Sequence, residues 1–328
     1  MKRLFPFFAL TVLFSFLVSC EDELDLNADY KNITIVYGLL DPGADTTFIR
    51  INKGFLGGDA TQFINEPDSV QYPMDVNIEG KLLYKRRPGR QIESVIPLIR
   101  LNRELLYTTT QIEYEEGFEY VLNVNIAHKD SVSSRTQVSE PFTISNPPKA
   151  NWEMGFATEV NYRYGFDQNV EWFVEDNCYK FEVELFFSYF EYTDDSTRTE
   201  KTVKWYNASR PGGTGSETGI LFPGDVFYNI IQNIVPYKEQ VQEDQIVKRK
   251  PHRLIYTVNA ASEELATYMD INNNSSSILT YRPEYTNITN GLGIFASRVR
   301  DSLHKNLHRN MKQNLENLEI KFVYIEKN

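Results

Sequence analysis

Cysteine is nearly absent from this 328-residue chain. There are two, Cys20 and Cys178, so at most one intramolecular disulfide can form and a packed core must hold the fold. Long apolar runs are missing as well. Leu4 to Val18 is the one extended apolar stretch, and it falls short of the roughly 20 residues a membrane-spanning helix takes. Positive charge is in deficit: 34 Lys and Arg stand against 45 Asp and Glu, a net charge of −11. Such an acidic surface argues against nucleic acid as a partner and against electrostatic docking to anionic lipid. Fingerprints of chemistry are lacking too. There is no Gly-x-Ser-x-Gly elbow, Cys/His pairing, phosphate-binding loop or dinucleotide motif, and no cofactor is implied. Carboxylates are plentiful, but nothing singles out two of them as a glycosidase pair.

The N-terminus is informative. Met1-Lys2-Arg3 is a basic n-region and Leu4 to Val18 an apolar h-region, the layout of a secretory signal peptide. Leu17-Val18-Ser19-Cys20 resembles a bacterial lipobox. The resemblance implies a signal peptide over 1–19, cleavage before Cys20, and a diacylglyceryl group on its sulfur with an acyl chain on its new amine. Each buried methylene adds about 0.8 kcal/mol of membrane affinity, so two or three chains anchor lastingly. The tether over 20–30 is acidic from the start, with Glu21, Asp22, Glu23 and Asp25. It resembles the tract that exports lipoproteins to the cell surface in the Bacteroidota phylum. The expected location is the outer membrane, at the cell surface or alternatively on the periplasmic face. Once Cys20 is acylated no intramolecular disulfide remains. Cys178, in Asn177-Cys178-Tyr179-Lys180-Phe181, reads as buried packing at a strand start.

Removing 19 of 328 residues leaves a mature chain of 309, enough for two ordinary domains. Twenty tyrosines and 21 phenylalanines sit in alternating stretches separated by Gly, Pro, Asn and Asp, which predicts a mainly β protein. In Phe118 to Ile126 the apolar residues Phe118, Tyr120, Leu122, Val124 and Ile126 share one face, as in an antiparallel sandwich sheet. Gly117-Phe118-Glu119-Tyr120-Val121-Leu122-Asn123-Val124 resembles the tyrosine-corner strand of immunoglobulin-like and fibronectin type III domains, and gives Tyr120 the corner role. An Ig-like or fibronectin-like β-sandwich is expected over 31–146. Pro147-Pro148 breaks the ladder, and a second β-rich domain follows over 150–328. Helices are expected near 224–235, where Phe227, Ile230, Ile231 and Ile234 align, near 262–270, and over 298–315. In the last, Val299, Leu303, Leu307, Met311 and Leu315 recur every four residues.

Tyr285-Thr286-Asn287-Ile288-Thr289-Asn290-Gly291-Leu292-Gly293-Ile294-Phe295-Ala296-Ser297 resembles a C-terminal signature of a family of Bacteroidota outer-membrane lipoproteins of unknown function. Members combine a lipobox, an Ig-like N-terminal part and a β-rich C-terminal part, and are often encoded beside TonB-dependent transporters. The resemblance brings no catalytic residues. The string itself reads as structural: Gly291 and Gly293 for a tight turn or close backbone approach, Phe295 for a buried strand, Asn287 and Asn290 as its polar members.

Four further patterns bear on sites. His304 and His308 stand four apart, but Lys305, Arg309 and Lys312 oppose a cation there and no Glu lies between, so no metal is expected. Asp270-Ile271-Asn272-Asn273-Asn274 imitates a calcium loop but lacks its Gly and Glu, and reads as a helix end. Trp152, Trp172 and Trp205 offer a ligand-stacking platform for a glycan, or else fill the core. Five Asp-Ser/Thr-apolar triplets, centred on Thr46, Ser69, Ser131, Ser196 and Ser302, resemble the O-glycosylation acceptors of exported Bacteroidota proteins; ordinary turn chemistry gives the same pattern. Three roles follow as expectations. The first is a non-catalytic surface lipoprotein serving a TonB-dependent transporter in nutrient uptake. The others are an envelope hydrolase acting on glycans or peptides, and a structural or adhesion component.

Overall fold

The structure is a computed structural model and describes residues 31–56, 70–86, 91–116, 118–129, 131–150, 153–156, 166–193, 197–211, 215–235, 248–273, 285–318, 320 and 322–323. The protein is mainly β. Seven strands build the N-terminal half: β1 (Lys31–Leu40), β2 (Thr47–Leu56), β3 (Ile78–Arg86), β4 (Gln91–Arg100), β5 (Leu105–Thr108), β6 (Phe118–Ile126) and β7 (Val132–Thr136). The order β1-β2-β5 forms one face and β4-β3-β6-β7 the other, with β4 reaching across to β5 at Ile99 and Arg100. This is an Ig-like, fibronectin-like sandwich. Alternation on the strands fills it: Val36, Ile49, Ile51 and Leu106 from one sheet meet Leu82, Leu98, Leu122 and Val124 from the other. The Tyr120 hydroxyl accepts from the Glu113 amide at 3.1 Å and donates to the Glu113 carbonyl at 3.3 Å, which fixes the corner before β6.

The C-terminal half adds β8 (Ile144–Asn146), β9 (Glu153–Met154), β10 (Gln168–Phe173), β11 (Lys180–Tyr192), β12 (Arg198–Pro211), β13 (Glu217–Phe222), α1 (Gly224–Ile234), β14 (Lys248–Ala261), α2 (Glu263–Asn273), β15 (Gly291–Leu307) and α3 (Arg309–Glu316). A sheet ordered β12-β11-β14-β15 is faced by a small sheet, β13-β10-β8. Aromatics fill the space between them. Trp172 lies 5.2 Å from Phe181, Phe222 meets Tyr256 edge-on at 5.7 Å, and α1 lays Phe227 on Phe156 at 4.4 Å. The buried Arg249 donates to Glu191 at 3.0 Å and to the Ile320 carbonyl at 2.7 Å, which pins the chain's last described residues to this core.

The helix expected over 298–315 is not there. The chain stays extended to Leu307, and only Arg309–Glu316 is helical. A spacing of four is even, so it satisfies the two-residue period of a strand as well as a helical turn. Val299, Leu303, Lys305 and Leu307 point inward while Arg300, His304 and Asn306 are exposed. Pairing with β14, from Arg298 opposite Ala261 to Asn306 opposite Arg253, decides for the strand.

β15 also alters the expected division at 146–150. Its first part, Gly291 to Ser297, runs parallel to Thr34–Leu40 of β1 and so belongs to the sandwich. Its second part belongs to the C-terminal sheet. The break at Pro147-Pro148 separates the halves in sequence, but one strand serves both. The linker is itself tied to that strand. Lys305 Nζ donates to the Pro148 carbonyl at 2.6 Å, and the Asp301 carboxylate accepts from the Ile144 amide at 2.8 Å.

Candidate functional site: a polar cleft at the seam

The sandwich leaves two edges, β1 and β7, and residues 286–297 cover both. Thr289 bridges Ser133 of β7, its amide donating to the Ser133 carbonyl at 2.7 Å. Ser134 Oγ donates to the Asn287 carbonyl at 2.8 Å, and Asn290 Nδ2 to the Ser131 carbonyl at 3.1 Å. Beyond the turn the chain becomes β15. Gly293 takes φ +110° there, and a Cβ on it would stand 2.0 Å from the Val36 carbonyl oxygen. A Cβ on Gly291 would stand 2.7 Å from the Thr34 oxygen. The two glycines thus allow β15 to approach β1, and Phe295 enters the sandwich core. The string acts as a closing seam.

Against this seam lies a cleft of about 670 Å³. Val121, Ser133 and Arg135 line it from β6 and β7; Glu263, Glu264 and Thr267 line it from α2; Tyr285, Asn287 and Thr289 line it from the seam. Both halves of the chain therefore build it. Ser262 sets the start of α2: its amide donates to the Ser297 carbonyl at 3.0 Å, and its Oγ accepts from the Ser297 amide at 3.2 Å. Ser297 Oγ in turn donates to the Gln137 carbonyl at 2.7 Å, which joins α2 to the sandwich. The Glu264 carboxylate accepts from Ser262 Oγ and Thr136 Oγ1, both at 2.8 Å, and is held in place. Arg135 and Glu263 are exposed and carry no ion pair with the described residues. Burial, and then the Glu264 and Glu263 carboxylates, push the Tyr285 hydroxyl up, so it stays protonated as a donor. The cleft thus presents a guanidinium, a phenol and hydroxyls as donors beside two carboxylates as acceptors, a set suited to a polar ligand.

The sequence-derived candidates lie elsewhere, apart from Asn287. Trp172 is fully buried as an inward residue of β10 and has no face for a ligand. Trp205 packs edge-on against Phe222 at 4.9 Å, and Trp152 lies outside the described residues. No stacking platform forms between Trp172 and Trp205; these aromatics fill the core. Of the triplets, Thr46 lies between the Pro42-Gly43 turn and β2, and Ser131 is exposed just before β7. Ser302 sits mid-strand in β15 with its hydroxyl 3.2 Å from Thr257 Oγ1, not in the helix expected over 298–315. Cys20, Ser69 and Ser196 lie outside the described residues. His304 is exposed on β15, while His308 caps α3, its Nδ1 accepting from the Asn310 amide at 3.2 Å. Among the described residues no group of three metal-ligating side chains forms. Asp270 lies within α2 and pairs with Lys180. Cys178 is buried, and burial, then Glu140 and Glu175, push its thiol up to about 12. Of the cleft residues the sequence signalled only Ser262 and Glu264, as a helix cap, and the signature string; Arg135 and Glu263 carry no local pattern.

No family model matches this sequence, and no curated protein matches it. Among solved structures it is similar to the selenomethionine-substituted chicken interferon gamma receptor alpha chain, at 8% identity and a TM-score of 0.19, over 70% of this chain and 88% of that one. Strand order and the Tyr120 corner, not this likeness, identify the sandwich.

Proposed function

We propose that this protein is a non-catalytic outer-membrane lipoprotein exposed at the cell surface, a binding or accessory module that serves a TonB-dependent transporter in nutrient uptake. Acyl chains on Cys20 hold it to the membrane, and the acids that follow Cys20 support the surface location. The observation that carries a binding role is the cleft. Its walls come from two halves that share β15, so the backbone positions that carry Arg135, Glu263 and Tyr285 are set by the fold, and Glu264 is held by Ser262 and Thr136. A wall fixed before binding lowers the ordering cost, which suits recognition of a polar solute or a partner loop. Mild-detergent extraction with affinity capture, paired with protease shaving of intact cells, tests the reading. Co-purification of a β-barrel transporter, loss of the protein on shaving, and loss of the partner in Arg135→Glu or Glu263→Lys variants are expected. Capture of the protein alone removes the transporter from the proposal. Protection from shaving moves the protein to the periplasmic face.

A further inference from the structure

Ser133 and Thr289 exchange both backbone hydrogen bonds, at 3.3 and 2.7 Å. Backbone groups along a strand alternate between its two sides, so Arg135 turns its amide and carbonyl the same way as Ser133, away from β6. In a continued antiparallel ladder Asn287 would meet them. It does not. The Asn287 carbonyl accepts from Ser134 Oγ at 2.8 Å instead, and Asn287 Nδ2 reaches the Arg135 carbonyl only at 3.5 Å. The Arg135 amide is left without a partner among the described residues. The cleft therefore opens where the seam peels away from β7. Its wall holds one open rung of a sheet edge beside an exposed guanidinium.

Many neutral groups around the cleft are already engaged. The Asn287 amide holds Phe295 at 2.7 and 2.9 Å, and Thr267 Oγ1 donates to the Glu263 carbonyl at 2.8 Å. Ser133, Thr289 and Tyr285 keep their hydroxyls. The other groups that remain are charged, and of both signs. Glu264 takes both of its hydroxyl bonds on Oε2, so Oε1 has no partner among the described residues, and Glu263 is exposed beside it. Burial, then Glu263 and Glu264, push up the Tyr179 hydroxyl as well as that of Tyr285, which marks this wall as negative. Carboxylates among aromatic rings suit an organic cation. The opposite charge is near. Thr136 follows Arg135 in the chain and donates to Glu264 at 2.8 Å. The Arg135 amide and the Glu264 carboxylate are thus at most about 10 Å apart, the length of two or three extended residues.

We infer that the ligand of this cleft is a short peptide with free ends, its carboxylate on the Arg135 amide and guanidinium and its ammonium against Glu263 and Glu264. Both ends then make charge-assisted hydrogen bonds, and the open rung meets the ligand's own backbone as an added strand would. A neutral glycan neutralises none of these charges. A wholly anionic ligand meets two carboxylates, and a wholly cationic one meets a guanidinium. A single amino acid carries both charges on one carbon and cannot span the gap. The cleft's 670 Å³ holds more than one residue. The inference rests on the binding role proposed for the cleft and takes its solute side, since a loop within a transporter has no free ends.

Calorimetric titration of the full-length protein in detergent with trialanine tests it. Saturable binding is expected, weakened about tenfold or more in N-acetyl-trialanine and in trialanine amide, each of which lacks one charged end. Arg135→Gln should bind trialanine and its amide alike. Glu263→Gln/Glu264→Gln should bind trialanine and its acetylated form alike, and Gln at 264 still offers an oxygen to Ser262 and Thr136. Unchanged urea midpoints would show that both variants fold. No binding up to about 20 mM, equal binding of free and blocked peptides, or unaltered preferences in both variants would overturn the inference. Tighter binding of maltotriose would assign a neutral glycan, and tighter binding of alanine a single amino acid; either would equally overturn it. Co-purification of a transporter is read separately. If it persists while trialanine fails, the accessory reading stands without the peptide; if the protein is captured alone yet binds trialanine, the peptide stands without the transporter.

Discussion

The side-chain amide of Asn287 holds both backbone groups of Phe295: its Oδ1 accepts from the Phe295 amide at 2.9 Å, and its Nδ2 donates to the Phe295 carbonyl at 2.7 Å. One side chain thereby does for β15 what a neighbouring strand would do. The outer hydrogen bonds of β15 at this point have no strand to meet, because β1 lies on its other side. The amide supplies a donor and an acceptor in the right order, on the two terminal atoms of one planar group, as only Asn and Gln side chains do.

Asn287→Ala should therefore leave two half-buried backbone groups unmatched and cost about 2–3 kcal/mol. Asn287→Asp should cost at least as much, since it exchanges the donor for a carboxylate oxygen set against the Phe295 carbonyl. Urea midpoints of the three proteins, at equal slope, check both values.

Two glycines with positive φ make a matched pair. Gly293→Ala should abolish folding or cost well above 3 kcal/mol, because a Cβ would collide with the Val36 oxygen as well as strain the backbone. Gly215, at φ +75°, has nothing within 4 Å of the same atom. Gly215→Ala should cost only about 1 kcal/mol. Soluble yield and thermal midpoints separate the two outcomes.

Tyr120→Phe removes a hydroxyl bonded to both backbone groups of Glu113 and keeps the ring in the core. A loss of about 1–2 kcal/mol is expected, with faster amide exchange at Glu113 as the local signature.

Lys305→Met keeps the buried stem and removes the ammonium that the Pro148 and Lys149 carbonyls accept from. The variant should lose about 1–3 kcal/mol. Tryptic cleavage after Lys149 should accelerate, because the linker is no longer tied to β15.

Cys178 gives a pH dependence with a defined sign. Its thiol ordinarily titrates near 9.0, and burial, followed by Glu140 and Glu175, raises it to about 12 in the folded protein. Between those values the unfolded chain has released the proton while the folded chain still binds it. Stability is thus unaffected below pH 9 and falls as pH rises through the window. Urea midpoints at a series of alkaline pH values, compared with Cys178→Ala to remove the contribution of the tyrosines, should show the extra slope. Native protein should also resist alkylation of this thiol near pH 8.

Local patterns carried much of this architecture. The alternation in Phe118–Ile126 reads directly as one buried face, and Tyr120 reads as a corner because its partner lies only seven residues away. Phe227 and Ile231 mark the buried side of α1 at helical spacing. β15 failed because its every-fourth spacing suits either period, and the deciding pairing with β14 lies more than forty residues off in sequence, Val258 opposite Asp301. The parallel pairing of β1 with β15 leaves no local trace at all. Trp172, Trp205 and the phenylalanines are equally apt for a core or a ligand, and only burial tells which. Arg135 and Glu263 come together across the seam, so neither looks unusual in its own segment.

The shared strand sets an order on biogenesis. β1 begins at Lys31, and its parallel partner begins at Gly291, 260 residues later. Until that segment is made, the sandwich carries an open edge with a row of unpaired amides and carbonyls, the kind of edge that recruits foreign strands. At roughly 5–20 residues per second the wait is on the order of ten seconds to a minute. A shortened chain ending near 146 would keep that edge permanently and should aggregate. The nascent protein therefore has a built-in interval in which it needs protection, and that interval ends when the Asn287–Ser297 segment arrives.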